Sequence, residues 1–140
     1  MKIILLTDAN SVHSLRWVRA LKNNNINLLL FSFFKPNKKI KKIYDDLGVE
    51  IQSPNLKSKI KKISKPNLSK IKYIFSIIHL IKAIRVFKPD LIHAHYASSY
   101  GLLGALTMFK PFVLSVWGSD IYDFPYINNF NRYLMKFTLK

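Results

Sequence analysis

The sequence predicts an α/β fold, namely a Rossmann-like, doubly wound parallel sheet in a single domain over residues 1–140. Short apolar runs typical of buried strands alternate along the chain with stretches of helical length. The connections between them are short, and this alternation is typical of parallel strands joined by right-handed helical crossovers. An apolar fraction of 49% over 140 residues is sufficient for one hydrophobic core.

Three runs predict the first strands of the sheet: KIILLT (2–7), INLLLFSFF (26–34) and VEIQ (49–52). Asn10 or Ser11 can cap a helix that follows the first of these strands and stops at KNNN. A short basic helix is predicted over 36–48, closed by Gly48. The next stretch, 53–66, is rich in Pro, Ser and Lys and is predicted to be a loop.

The rest of the chain continues the alternation of helix and strand. A long, largely apolar helix is predicted over about 68–87 and is broken by Lys88-Pro89-Asp90. Two further strands and two further helices are then predicted: strand LIHAH (91–95), a small-residue helix near 98–109, strand PFVLSVW (111–117) and a last helix near 128–140. Helices on both faces of a parallel sheet follow from this order of elements.

The net charge of +16 is concentrated, because most lysines lie between Lys35 and Lys72. A solvated lysine face, in a chain with A/T-biased coding, is one explanation. An anionic membrane surface, at about 1 kcal/mol per basic residue, is another, and nucleic acid is a third. The cations of this stretch are lysines, which attract phosphate diffusely rather than reading bases, so membrane is favoured and nucleic acid is disfavoured. The candidate membrane contacts are Lys38, Lys39, Lys41, Lys42, Lys59, Lys61 and Lys62.

Several classes of protein are excluded or disfavoured by composition. Cysteine is absent, so there is neither a disulfide framework nor a thiolate site. The opening MKIILLTD is too short for a signal-peptide core, and the apolar tract 73–87 carries charged residues that disfavour a membrane span. We therefore expect a cytoplasmic protein, either soluble or peripheral on the inner face of the membrane.

Polar side chains cluster where the predicted strands end. Ligands of a doubly wound sheet bind in the crevice beyond the carboxyl ends of its strands. Three of the seven acidic residues, Asp8, Asp120 and Asp123, fall at this rim. The other candidates there are Asn10, Ser11 and His13 after the first strand, His95 and Tyr96 after the fourth, and Trp117, Gly118 and Ser119 after the fifth. We expect these residues to converge in one binding crevice.

The HAH sequence at 93–95 raises the question of a metal or catalytic site. Residues two apart in a strand point to the same face of the sheet, so His93 lies deeper than His95, and we expect a core histidine hydrogen-bonded to a neighbour. A metal would need a third ligand at a suitable spacing, which the sequence does not offer, so no metal is expected. No serine lies in a G-x-S-x-G elbow, and the first loop lacks the glycines of a dinucleotide fingerprint or P-loop.

Three segments resemble the amino-terminal domain of glycosyltransferase family 4 enzymes: NSVHSLRWVRAL (10–21), KPDLIHAHYASSYGLLGAL (88–106) and KPFVLSVWGSDIYDFP (110–125). The resemblance covers nearly the whole chain. It implies the amino-terminal half of a GT-B fold, in which two Rossmann-like domains enclose the active site. In that family the amino-terminal domain mostly contacts the acceptor, while the carboxyl-terminal domain holds the nucleotide-sugar. The implied reaction is retaining sugar transfer without a bound metal, often onto glycolipids or surface polysaccharides by enzymes attached peripherally to the membrane.

The resemblance also implies roles for individual residues. The predicted acceptor cleft comprises Asn10, Ser11, His13, His95, Tyr96, Trp117, Gly118 and Asp120. Trp17 is expected to pack the first helix onto the sheet. Trp117 stands where many relatives have a histidine, so it either stacks on a sugar face or is buried against the sheet. Gly118 would allow close backbone approach. Asp120 either binds sugar hydroxyls or organises its loop.

The carboxyl-terminal donor domain of the family has no counterpart in these residues, so we expect this chain alone to be inactive. The expected partners are a sugar or lipid-linked acceptor, an anionic membrane surface, and the missing donor domain in cis or in trans. The nucleotide-sugar is a co-substrate held mainly by that domain, and no cofactor is expected. Two alternatives remain open, a non-catalytic binding or partner domain of a two-chain complex and a basic nucleic-acid-binding domain, although rim carboxylates would repel phosphate.

Overall fold

The computed structural model describes residues 1–54 and 66–140. These residues form a five-stranded sheet of order β3-β2-β1-β4-β5 in which each neighbouring pair is parallel. The strands are β1 (Lys2–Leu6), β2 (Asn27–Phe31), β3 (Glu50–Gln52), β4 (Leu91–His95) and β5 (Phe112–Ser115). The prediction of a Rossmann-like parallel sheet is confirmed. The strand order reverses between β1 and β4, and this switch point is where such sheets bind ligands.

Helices connect the strands. They are α1 (Val12–Asn23), α2 (Lys38–Asp46), α3 (Pro66–Phe87), a π-helix (Tyr96–Gly101) that continues into α4 (Leu102–Leu106), α5 (Ser119–Tyr122), a 3₁₀ turn (Phe124–Tyr126) and α6 (Asn129–Thr138). Side-chain caps begin three of them, since Ser11, Asn37 and Asn128 each accept a hydrogen bond from a first-turn backbone N–H. Most of the predicted loop 53–66 lies outside the described residues.

The two faces of the sheet carry separate hydrophobic cores, as a doubly wound fold requires. One face packs Leu5 and Leu30 against Val18 of α1 and Tyr44 of α2. The opposite face packs side chains of β1, β2 and β4 against Leu80 of α3 and residues of α4. Alternate residues of β1 therefore enter different cores, and both α-helical layers fix the position of the central strands.

Several predicted boundaries differ from the structure, three of them as follows. The second strand ends at Phe31 rather than residue 34, because its partner β3 extends only to Gln52. The fifth strand ends at Ser115 rather than residue 117, because the chain turns at Gly118, where φ is +93°. The helix predicted from residue 98 begins at Tyr96 as a π-helix and its α-helical part stops at Leu106.

The lysines predicted to contact a membrane divide into two groups. Lys38, Lys39, Lys41 and Lys42 lie on α2, and all four are exposed. Lys41 forms a surface ion pair with Asp45 at 3.0 Å. Lys59, Lys61 and Lys62 lie outside the described residues. Within the ranges 1–54 and 66–140, no helix is both long enough and apolar enough to cross a bilayer.

Candidate functional site

A cavity of about 370 Å³ opens at the carboxyl ends of β1 and β4, beside the switch point of the sheet. Ten residues line it: Thr7, Asp8, Ser11, His13, Ser14, His95, Tyr96, Ser99, Tyr100 and Trp117. They come from four places in the chain: the loop after β1, the start of α1, the end of β4 with the π-helix that follows it, and the loop after β5. The topology thus brings together side chains that are about a hundred residues apart in the sequence.

Aromatic rings form one connected cluster at the cavity wall. The Trp117 ring lies 4.8 Å from the His13 ring and 5.6 Å from the His95 ring, measured between centroids. The Trp17 ring lies 5.3 Å from His95 and 5.0 Å from His93. The indole of Trp117 is 39% exposed, so it combines one packed side with one open side. An aromatic ring in that situation presents an apolar face to a ligand.

His95 is the buried polar centre of the site, with only 3% of its surface exposed. Its Nδ1 lies 3.2 Å from Thr7 Oγ1, which in turn lies 2.7 Å from Ser14 Oγ. Within the described residues its Nε2 is buried without a hydrogen-bond partner. Burial, followed by the nearby charges of His93 and His13, lowers the pKa of His95 to about 4. The imidazole is therefore neutral near pH 7, with one nitrogen as donor and the other as acceptor.

His93 is a core histidine, as the sequence predicted. It is 6% exposed, and its Nε2 lies 2.8 Å from Ser115 Oγ on the neighbouring strand. Burial lowers its pKa from the usual value. The ring of Trp17 packs edge-on against it, and this contact holds α1 on the sheet as expected for Trp17. His93 does not line the cavity.

Asp8 brings a carboxylate to the cavity, and its Oδ1 accepts the backbone N–H of Asn10 at 2.9 Å. Lysine and arginine do not occur among the side chains that line the cavity in the described part of the chain. In that same part, no group of three His, Cys, Asp or Glu side chains is arranged to hold a metal ion. The cavity can therefore form hydrogen bonds through neutral and acidic groups, beside the face of an aromatic ring.

The structure places five of the eight predicted cleft residues on the cavity wall: Ser11, His13, His95, Tyr96 and Trp117. The other three lie elsewhere. Asn10 joins the first loop to the start of α2, through Asn37 N–H at 2.9 Å and the carbonyl of Lys35 at 3.3 Å. Gly118 supplies the positive-φ turn before α5.

Asp120 is the clearest correction to the predicted cleft. It is fully buried, and its two oxygens accept the backbone N–H groups of Ala97 at 2.6 Å and Trp117 at 2.9 Å. Of the two roles left open by the sequence, the structure supports the organisation of the loop. A carboxylate without exposed surface has no room to receive a sugar hydroxyl.

Four lining residues were not predicted: Thr7, Ser14, Ser99 and Tyr100. A signal for two of them was present, because Ser14 follows Ser11 by three residues and Ser99 follows Tyr96 by three, which puts each pair on one side of a helix. Thr7 is the last residue of the run that predicts the first strand. Tyr100 could not be assigned, because its hydroxyl reaches the backbone N–H of Phe33 through the tertiary fold alone.

Comparison with known proteins identifies the family and the fold to which this chain is similar. Comparison with the curated proteins finds no match. The solved structure of the spinosyn rhamnosyltransferase SpnG with thymidine diphosphate matches with a TM-score of 0.56 and 13% identity, over 96% of this chain and 41% of that chain. The glycosyltransferase SsfS6 of Streptomyces sp. SF2575 matches with a TM-score of 0.49 and 16% identity, over 83% of this chain and 39% of that chain.

At 13% identity the likeness to SpnG shows the fold alone. The chain spans about two fifths of the length of either glycosyltransferase. The fold is that of one Rossmann-like part of a GT-B glycosyltransferase. The family is shown by a sequence model described as glycosyl transferase 4-like. Since that model matches residues 2–140, the chain belongs to the glycosyl transferase 4-like family.

Proposed function

We propose that this chain is the acceptor-binding part of a glycosyltransferase that moves a sugar from a nucleotide-sugar to an acceptor hydroxyl. The observation that carries the proposal is the composition of the cavity wall. A partly exposed Trp117 ring, the Asp8 carboxylate and several hydroxyl groups surround a space of about 370 Å³. Sugars offer an apolar ring face together with hydroxyl donors, so this set of groups is chemically complementary to a saccharide.

Lysine and arginine are absent from the described cavity wall, which supports acceptor binding by this chain and nucleotide-sugar binding by another domain. Diphosphates are bound by fixed positive charge and backbone N–H groups. A wall with one carboxylate and a neutral imidazole is poorly suited to that charge. We therefore place the nucleotide-sugar diphosphate on a second domain, in cis or in trans, and expect this chain alone to be inactive in transfer.

His95 adds a polar contact that a ligand can complete. A buried imidazole nitrogen without a partner costs free energy, which a hydrogen bond recovers. His95 lines the cavity, so a sugar hydroxyl bound there is the proposed partner of its Nε2. The proposed transfer is retaining, as the family resemblance implies, and the proposed acceptor is a glycolipid or a surface polysaccharide.

The exposed lysines of α2 support a second part of the proposal, attachment to an anionic membrane surface. Four lysines on a nine-residue helix attract phosphate headgroups at short range. Only Lys41 among them has an acidic partner in the described residues, the surface pair with Asp45. Such a surface would hold the protein close to a lipid-linked acceptor.

Replacement of Trp117 tests the proposed saccharide site. We expect Trp117→Leu to weaken binding of neutral methyl glycosides about tenfold, because leucine cannot offer a flat face to a sugar ring. Binding is measured by saturation-transfer NMR with methyl glucoside, methyl galactoside, methyl rhamnoside and methyl N-acetylglucosaminide. Failure of all four glycosides to bind the unmodified chain would contradict the proposal.

The matched control is Tyr122→Leu. Tyr122 is a nearby aromatic residue that is 76% exposed and does not line the cavity. Its replacement removes a more exposed ring from the same end of the sheet, so it should leave glycoside affinity unchanged. Equal losses in both variants would show that the sugars bind exposed aromatic rings without using the cavity.

A further inference from the structure

Asp120 is a buried carboxylate that the proposed chemistry does not use. It is 0% exposed and lies in the first turn of α5. Among residues 1–54 and 75–140, whose side chains are described, no lysine or arginine forms an ion pair with it. Burial of a charge destabilises the folded protein unless hydrogen bonds compensate for the lost water. The hydrogen-bond partners of this carboxylate therefore explain how it can be buried.

Those partners are two backbone N–H groups from different segments of the chain. Oδ2 accepts from Ala97 at 2.6 Å, directly after the end of β4 and Tyr96. Oδ1 accepts from Trp117 at 2.9 Å, two residues after β5. The two strands are neighbours in the sheet, with His95 opposite Ser115. One carboxylate therefore ties together the ends of two adjacent strands, and both ends carry cavity residues.

The two hydrogen bonds of Asp120 lie next to strained backbone at Tyr96. Tyr96 has a φ of +75°, in the region that favours glycine, and it is a bulky residue. Such a conformation persists only where the surroundings hold it in place. The Ala97 N–H that follows is held by Asp120, and the Tyr96 hydroxyl lies 2.9 Å from Ser119 Oγ. Both contacts lead to the same turn, which Gly118 makes possible with its φ of +93°.

We infer that Asp120 is a positioning residue that fixes His95, Tyr96 and Trp117 in their arrangement around the cavity. It acts through the main chain and does not touch the ligand. The inference rests on the proposed function for its consequence in sugar binding, whereas the positioning itself is a property of the unliganded protein. The distance of 5.6 Å between the His95 and Trp117 rings is the geometry that it maintains.

Asp120→Asn is the informative substitution, because it keeps the size of the side chain but replaces one acceptor oxygen with an NH₂ donor. One of the two backbone N–H groups then loses its acceptor. We expect the amide hydrogens of Ala97 and Trp117 to exchange at least tenfold faster and the indole NMR signal of Trp117 to shift. Affinity for methyl glycosides should fall about tenfold. The far-ultraviolet circular dichroism should be unchanged.

Asp123→Asn is the matched control. Asp123 is exposed, lies three residues further along and carries the same charge. Its replacement should leave the Ala97 and Trp117 signals and the glycoside affinity as they are. Signals of Asp120→Asn that match those of Asp123→Asn would overturn the inference. Shifted signals with unchanged glycoside affinity would overturn the consequence for sugar binding, because the carboxylate would then organise a loop that ligand binding does not need.

A rescue experiment separates positioning from a general loss of stability. Glycine adopts a φ of +75° without strain, so Tyr96→Gly in the Asp120→Asn background should partly restore the slow exchange of the Ala97 amide. Additive damage in the double variant would contradict the proposal that Asp120 holds the strained backbone of Tyr96 in place. If Asp120→Asn does not fold, exchange in the unmodified protein decides, since fast exchange at both amides would overturn the inference.

The two proposals fail in different ways. Absence of glycoside binding by the unmodified chain would contradict the proposed function. The exchange rates and the Trp117 signal would still decide whether Asp120 positions the rings, because neither measurement requires a ligand.

Discussion

Replacement of the four α2 lysines by glutamine should weaken binding to anionic vesicles by up to about a thousandfold. The estimate takes about 1 kcal/mol for each lysine that reaches the surface, or about 4 kcal/mol in total, at about 1.4 kcal/mol per tenfold change. The variant is Lys38→Gln, Lys39→Gln, Lys41→Gln and Lys42→Gln. Co-sedimentation with vesicles of phosphatidylglycerol and phosphatidylcholine at low ionic strength measures the partition coefficient.

The control variant must have the same net charge as the α2 variant, because a net charge of +16 attracts anionic lipid from any direction. Lys22, Lys88, Lys110 and Lys136 lie outside α2, and their replacement by glutamine removes the same four charges. That control should lose far less affinity than the α2 variant. Equal losses would contradict a membrane contact through α2 and indicate a diffuse electrostatic effect.

Acidification from pH 7 to pH 4 should destabilise the protein, with His95 contributing up to about 3 kcal/mol. Its pKa is about 4 in the folded protein, compared with 6.5 for the unperturbed group. Between these values the unfolded chain binds a proton that the folded chain does not, so the free energy of unfolding falls as the pH falls. Burial lowers the pKa of His93 also, so this residue acts in the same direction.

Urea denaturation at several pH values measures this effect. In His95→Phe the free energy of unfolding should fall less steeply between pH 6.5 and pH 4 than in the unmodified protein, whatever the cost of the substitution at pH 7. His79→Phe is the control, because His79 is exposed on α3 and its imidazole lies away from the cavity. An unchanged pH dependence in His95→Phe would show that this histidine is not held neutral by burial.

Much of the fold was predictable because hydrophobic patterns of different period alternate along the chain. The boundaries of β4 were exact, since Pro89 and Asp90 precede the strand and the backbone leaves the extended region at Tyr96. The end of β5 was predicted two residues too late, because VLSVW continues a strand-like pattern past the residue where the ladder stops. The turn there depends on Gly118 and on the hydrogen bond from Trp117 to Asp120.

The residues at the rim of the site could be predicted from the sheet topology, but the roles of the individual residues could not. The rule that ligands bind beyond the strand ends grouped Ser11, His95 and Trp117 correctly. Whether Asp120 faces a ligand or the backbone depends on how two loops fold against each other, and a pattern in one segment carries no information on that contact. The positive φ of Tyr96 is likewise a tertiary effect, since tyrosine has no local preference for it.

The proposed acceptor site is tested most directly by mapping where a neutral sugar contacts the chain. Amide NMR spectra would be recorded with increasing methyl glycoside and, separately, with inorganic phosphate. We expect the glycoside to shift the signals of Thr7, Ser11, His95, Tyr96 and Trp117, which surround the cavity, and phosphate to leave them unchanged. Glycoside shifts confined to other surfaces, or a stronger response of the cavity to phosphate, would contradict a saccharide site there.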